Sequence, residues 1–195
     1  GGGWREQPPR RDRLPPMIVE IREGAQGVFS LAGEGEWERA RRRTGILRES
    51  TARLEASQRR QLPGLERAIA DLSWALDSQD APRSRRLAIE VMRQTARFSL
   101  DYAGSESAAI CTLELEACEL LVDLDEDPIA ADAAVARIAK LWMELRPEAE
   151  KRGGHALASR CDGHVQALDS GGTTTRRSEA LALLETLERL EDLFS

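Results

Sequence analysis

The sequence is poor in the residues on which most enzyme chemistry depends. It contains two histidines and three cysteines among 195 residues. It has no Cys-x-x-Cys-His motif for covalent haem, no His-Glu-x-x-His motif for zinc hydrolysis and no Glu-x-x-His pair of the di-iron type. General acid–base catalysis would depend on carboxylates, and no motif singles out one pair among the 34 acidic residues. We therefore predict that the protein is not an enzyme and uses no cofactor.

Aromatic residues and long apolar runs are also scarce. One Tyr, three Phe and four Trp make up 4% of the chain, which argues against a sheet-rich fold. No stretch approaches the roughly 20 consecutive apolar residues that cross a bilayer, so we predict no transmembrane segment. Lysine is nearly absent, since Lys140 and Lys151 are the only two among 28 basic residues. This bias is typical of a GC-rich genome, although arginine is also suited to bidentate ion pairs.

The chain does contain apolar residues at intervals of three and four, the spacing of amphipathic helices. Ile18, Ile21 and Ala25 begin the first stripe, which the Gly33-Glu34-Gly35 segment ends. Asp80 and Asp127 stand where they would cap the helices that follow them. The predicted helices cover approximately residues 17–33, 37–63, 65–76, 81–102, 107–124, 128–152, 155–168 and 173–195.

This helical pattern partly repeats after 92 residues. Ala75-Leu76-Asp77-Ser78 returns as Ala167-Leu168-Asp169-Ser170. The same shift places Ile46 on Ile138 and Ile89 on Leu181, so we expect the members of each pair to share an environment. We predict an all-α fold, an antiparallel helical bundle built from two tandem, internally duplicated helical units. The units cover residues 17–104 and 105–195, as two bundles or as one continuous bundle.

The two halves of the chain carry opposite net charges. Residues 1–104 hold 19 basic and 15 acidic side chains, whereas residues 105–195 hold 9 basic and 19 acidic ones. If the halves pack together, this asymmetry steers the packing, and otherwise it favours head-to-tail association or separate partners. We predict a non-catalytic interaction or scaffold module that binds another protein, or a second copy of itself, through exposed helix grooves and its oppositely charged halves.

Arginines are concentrated at Arg39, Arg41, Arg42 and Arg43, which raises the question of nucleic-acid binding. Successive residues fan around a helix at about 100° each, so the four do not share one side. Glutamates intervene, and no aromatic residues are interleaved for base stacking. We therefore predict a solvated, salt-bridged helix and no nucleic-acid partner.

An alternative function is suggested by His155, Cys161 and His164, which lie within ten residues. Cys161 and His164 project from one helix face, and the three could offer N, S and N ligands to zinc or copper, with Cys118 as a fourth. The alternative prediction is a bundle that binds a metal, or a small ligand in a cavity between the repeats. The shift of 92 residues matches Cys161 with Ile69, which favours core packing instead.

Residues 1–16 are rich in Gly, Pro and Arg and predict a flexible tether. The segment resembles the spacer that follows the lipidated cysteine of a processed bacterial lipoprotein. That resemblance implies an extracytoplasmic location, periplasmic or membrane-anchored, with a lipid anchor upstream of Gly1. A cytoplasmic chain that is truncated, or that begins with the remnant of an expression tag, would have the same appearance.

Overall fold

The computed structural model describes residues 14–102 and 105–194, and every regular element in these ranges is an α-helix. This confirms the all-α prediction. No helix in the described ranges combines the length and apolarity that a membrane span requires. The predicted tether lies outside the described residues up to residue 13, and its last residue, Pro16, already belongs to the first helix. The helices are α1 (Pro16–Gly33), α2 (Trp37–Ala52), α3 (Ala56–Arg60), α4 (Leu65–Asp77), α5 (Ala81–Tyr102), α6 (Ser105–Glu126), α7 (Pro128–Lys151), α8 (His155–Ser170) and α9 (Thr173–Phe194).

Local sequence determines where several helices begin. The Asp127 carboxylate accepts a hydrogen bond from the backbone N–H of Ala130 at 3.2 Å, and Asp80 accepts one from the N–H of Arg83 at 3.1 Å. Both predicted caps are confirmed. Pro128 follows Asp127 as the first residue of α7, a position at which the missing N–H has no helical partner to lose.

The predicted helix over residues 37–63 is wrong, because α2 ends at Ala52. A short helix, α3, begins after Glu55, where a capping box forms: the N–H of Glu55 donates to Gln58 Oε1 at 3.1 Å, and the Glu55 side chain caps the helix in return. This local capping competes with continuation of α2. In contrast, α7 runs through Pro147 and ends only at Lys151.

The helices contact one another in two closed rings. In the first half, α1 packs on α2, α2 on α4, α4 on α5, and α5 on α1. In the second half the order is α6 on α7, α7 on α8, α8 on α9, and α9 on α6. Helices α5 and α6 join the rings, and the buried apolar side chains of both rings form one contiguous cluster. The hydrophobic core is therefore not divided between the halves.

A shift of 92 residues brings most buried positions of α2 onto exposed or half-buried positions of α7. Ile46 is 53% exposed whereas Ile138 is fully buried, so this pair does not share an environment as predicted. Leu47 is the buried residue of α2 that matches Ile138, at a spacing of 91 residues. The spacing differs because the two connections differ in length: Asp127 alone separates α6 from α7, whereas residues 34–36 separate α1 from α2.

The prediction for Ile89 and Leu181 is also wrong. Ile89 is 4% exposed and Leu181 is 50% exposed. Helix α5 packs on α6 as well as on α1 and α4, and this additional neighbour covers the side of α5 that carries Ile89. The corresponding side of α9 remains open at Leu181.

Candidate functional site

A buried arginine lies at the centre of the junction between the halves. Arg22 on α1 is 3% exposed, and its guanidinium donates hydrogen bonds to Glu191 on α9 and to the sulfur of Cys111 on α6. Its Nε lies 3.8 Å from Glu114 Oε2, also on α6. One side chain of the first half thereby contacts two helices of the second half.

Burial controls the ionisation of this cluster. Desolvation raises the pKa of Glu114 to about 8 although Arg22 opposes the shift, and the nearby carboxylates of Glu191 and Glu188 raise the pKa further. Burial disfavours the charge of Arg22, yet Cys111, Glu114 and Glu191 together hold the pKa of Arg22 above its ordinary value. The guanidinium therefore stays charged, and Glu114 is the group that titrates in the physiological range.

More exposed ion pairs surround this centre and link α5 to α6. Arg93 Nη2 lies 2.7 Å from Glu119 Oε1, and Arg85 Nη1 lies 3.2 Å from Asp125 Oδ2. Arg86 bonds Glu126 at the end of the same row. In the described part of the chain, every ion pair between the halves takes its arginine from the first half and its carboxylate from the second. The opposite charges that the sequence shows are thus used across the junction.

A second group of arginines lies on the outer surface of α2. Exposed Arg42 and Arg43 follow exposed Arg39 by three and four residues, and Ile46 follows Arg42 by four. Exposed Arg53 lies seven residues after Ile46, directly past the end of the helix. We call these five residues the basic face of α2. The arginines of this face form one ion pair within the described ranges, in which Arg42 lies 3.6 Å from Glu38 on the same helix, and both side chains are more than 70% exposed.

The prediction that Arg39, Arg41, Arg42 and Arg43 do not all share one side of the helix is confirmed. Arg41 does lie apart from the others, because its Nη1 reaches the carbonyl oxygen of Leu76 on α4 at 3.5 Å. Arg39, Arg42 and Arg43 are spaced by three and four residues, so they share one side of the helix. The signal was present in the spacing, but it was hidden by reading Arg41, Arg42 and Arg43 as one run.

An exposed face of opposite charge lies on α9. Leu181, Glu185 and Glu188 are exposed and follow one another at intervals of four and three residues. We call these three residues the acidic face of α9. Beside it, Glu23 of α1 and Glu191 of α9 help to line an open groove of about 470 Å³. The groove lining contains four carboxylates and one arginine, Arg189, so this surface carries a net negative charge.

The predicted metal ligands have separate surroundings. His155 is exposed, with Nδ1 3.9 Å from Glu150 Oε1. The ring of His164 contacts Glu179 Oε2 at 2.7 Å through Nδ1 and Thr186 Oγ1 at 3.1 Å through Nε2. Cys161 is fully buried in the core, and burial raises its pKa to about 12. Over residues 14–102 and 105–194, no three His, Cys, Asp or Glu side chains are grouped so as to hold a metal ion.

Two further cysteines, Cys111 and Cys118, and Trp142 are buried, whereas Trp74 lies at the surface. Cys111 and Cys118 are buried and free, and burial raises the pKa of each thiol. Trp142 is buried in the core, and its Nε1 donates to Asp162 Oδ1 at 2.8 Å. Trp74 is 75% exposed on α4 and is not part of the core.

Neither a protein-family model, nor a curated protein, nor a solved structure matches the chain. Its function must be inferred from its own residues. The two charged outer faces and the junction between the halves are the features with a chemical character distinct enough to support such an inference.

Proposed function

We propose that the protein is a non-catalytic interaction module made of two tandem, duplicated antiparallel four-helix units, and that the basic face of α2 binds an acidic protein surface. The observation that carries this proposal is the exposed arginine cluster of α2, whose compensation in the described chain comes from Glu38 beside Arg42 and from the attraction between Arg43 and Glu23. Exposed arginines surrounding an aliphatic side chain are suited to a partner that offers both carboxylates and an apolar contact.

The duplication is supported by the helix bounds and by the order of contacts. Helices α5 (Ala81–Tyr102) and α9 (Thr173–Phe194) are offset by 92 residues at both ends. Each helix of the first ring has a counterpart that contacts the corresponding neighbours in the second ring. The other helix pairs depart from an offset of 92 residues by one to several residues at their ends, and the short helix α3 has no counterpart among the described helices of the second ring. Local insertion and deletion in connections would account for both.

The proposed binding role is supported by a contrast among the arginines. Arg22, Arg85 and Arg93 are engaged by carboxylates of the second half. On α2 and α3, residues 37–60 contain eight arginines and three glutamates, which leaves an excess of positive charge at the surface. The chain as a whole has a net charge of −6, so this excess of positive charge is local. A local positive patch of this kind attracts acidic surfaces and steers association with them.

A protein partner fits this face better than a nucleic acid does. The exposed apolar residue of the face is Ile46, which offers no aromatic platform for a base. A helix that presents carboxylates around one aliphatic residue would place its charges beside the arginines and its apolar group beside Ile46.

The test is binding of a fluorescent, designed helical peptide that carries Leu, Glu and Glu at positions i, i+4 and i+7. We expect the wild-type chain to bind it in low salt and to lose affinity as salt rises. The Arg39→Gln/Arg42→Gln variant should bind about tenfold more weakly, since it removes two charge pairs. The control variant Arg67→Gln/Arg83→Gln removes equal charge from exposed sites on α4 and α5 and should bind like the wild type.

Two results would contradict the proposal. The first is equal binding by the wild type and the Arg39→Gln/Arg42→Gln variant, which would mean that the basic face is not the site. The second is tighter binding of a DNA duplex than of the peptide at the same salt concentration, which would identify a nucleic-acid protein instead.

A further inference from the structure

We infer that the acidic surface recognised by the basic face of α2 belongs to a second copy of this chain, and that it is the acidic face of α9. This inference depends on the proposed function and names its partner. Two copies would then associate through α2 of one copy and α9 of the other.

The two faces match in spacing as well as in charge. On α2, Arg42 and Arg39 precede Ile46 by four and seven residues, and on α9, Glu185 and Glu188 follow Leu181 by four and seven residues. If the helices lie antiparallel, Ile46 meets Leu181, Arg42 meets Glu185 and Arg39 meets Glu188. Ile46 and Leu181 are also similarly exposed, at 53% and 50%. One apolar contact and two charge pairs therefore fall in a single register.

Within residues 14–102 and 105–194, the glutamates of the acidic face of α9 are not held in ion pairs, although exposed Arg189 follows Glu185 by four residues on the same helix. In the described part of the chain, neither Glu185 nor Glu188 forms an ion pair. Glu188 lies close enough to other carboxylates to raise the pKa of Glu114 and of Glu23. Cations brought by another molecule would relieve this repulsion.

The corresponding surface of α5 already acts as a docking face within the chain. At a shift of 92 residues, Leu181 and Glu185 match Ile89 and Arg93, and those two residues lie at the contact between α5 and α6. On α9 the charge is reversed, since glutamate stands where α5 has arginine. The face of α9 therefore requires a basic partner, and the basic face of α2 provides one. Both faces are exposed in a single chain, so they do not cover each other.

The contact joins different surfaces of the two copies, so it can close into a reciprocal pair or extend into a chain of copies. Both forms require that association weakens with salt and with reversal of either charged face. The Arg39→Glu/Arg42→Glu variant reverses the basic face, and Glu185→Lys/Glu188→Lys reverses the acidic face. Circular dichroism and the unfolding midpoint establish that each variant is folded before its association is measured.

The experiment is sedimentation velocity of the full chain from micromolar to millimolar concentration at low and high salt. We expect the wild type to associate at low salt and each variant alone to associate about tenfold more weakly or not at all. An equimolar mixture of the two variants should associate again, because each variant keeps one native face that the other can bind. The control Arg67→Glu/Arg83→Glu, with the same change in charge as the first variant, should behave like the wild type.

Three results would overturn the inference: a wild type that is monomeric at every concentration, association that neither reversal weakens, or a mixture of the two variants that stays monomeric. A monomeric wild type that still binds the acidic peptide would leave the proposed function standing and reject only the identity of the partner. Failure of both the self-association and the peptide binding would reject the proposed function as well.

Discussion

Replacing Glu114 by glutamine should remove a large part of the pH dependence of stability. Glu114 lies 3% exposed beside Arg22 at the junction of the halves, and burial raises its pKa from 4.5 to about 8. Between these two values the unfolded chain has lost the proton that the folded chain retains. The contribution of Glu114 to the free energy of unfolding is therefore most favourable below pH 4.5, where the side chain is protonated in both states, and it is lost as the pH rises through 8.

The magnitude follows from the size of the pKa shift. Each unit corresponds to about 1.4 kcal/mol, so the loss between pH 4.5 and pH 8 is about 5 kcal/mol at most. Glutamine has the same shape and cannot ionise. The free energy of unfolding of Glu114→Gln should be close to that of the wild type at pH 5, should exceed it increasingly up to about pH 8, and should keep a nearly constant excess from there to pH 9.

The assay is urea unfolding followed by circular dichroism from pH 5 to pH 9 for both proteins. Other groups titrate over this range, and the difference between the two curves isolates Glu114. Glu144→Gln removes an exposed carboxylate of α7 and serves as the control for net charge. A difference curve for Glu114→Gln that is flat across pH, or that slopes in the opposite direction, would refute this account of the junction.

Four further predictions concern the junction, helix α2 and the core. Replacing Arg22 by methionine leaves the carboxylates of Glu114 and Glu191 without their cation. The free energy of unfolding, measured in urea at pH 8, should fall by about 3–5 kcal/mol. A fall of less than about 1 kcal/mol would show that the cluster is solvated. Gly45→Ala adds a methyl group into open space on α2 and should stabilise by about 0.5–1 kcal/mol. In contrast, a Cβ at Gly24 would lie 2.7 Å from Cδ2 of buried Leu47. We therefore expect Gly24→Ala to be at least about 1 kcal/mol less stable than Gly45→Ala in thermal unfolding. Equal stability of the two variants would contradict the close packing of α1 on α2. Burial and the raised pKa of Cys161 predict that iodoacetamide labels this thiol only upon unfolding, and rapid labelling of the native chain would contradict its position in the core.

The helices were predictable because their determinants are local. The apolar stripe that begins at Ile18 and Ile21 marks the buried side of α1, and the carboxylates of Asp80 and Asp127 mark two helix starts within a few residues. The bounds of α2 were less predictable, since a capping box at Glu55 competes with helix continuation by only a few hydrogen bonds.

The junction was not predictable in detail because it depends on tertiary packing. Arg22 follows the apolar Ile21 directly, and a lone arginine at the edge of a stripe ordinarily faces solvent. Its burial requires α6 and α9 to lie over α1, which no local pattern encodes. The exposure of Ile46 was hidden for a related reason, because a change in connection length displaces the register of an entire helix.

The charge asymmetry of the halves was visible in the composition, but the positions of the charges in the fold were not. At the junction, arginines of α5 meet carboxylates of α6, and this arrangement is the one expected of halves that pack together. On α2 the positive charge remains at the surface. Only the positions of the side chains separate the arginines that pair with carboxylates at the junction from the arginines that remain exposed.

The most direct test of the proposed interaction role is amide hydrogen exchange of the full chain with and without saturating acidic peptide. The basic face lies within residues 37–53, so binding should slow exchange in this segment and leave residues 128–151 of α7 unchanged. Protection confined to α7, or no protection in α2 while the peptide is bound, would contradict the assignment of binding to the basic face of α2.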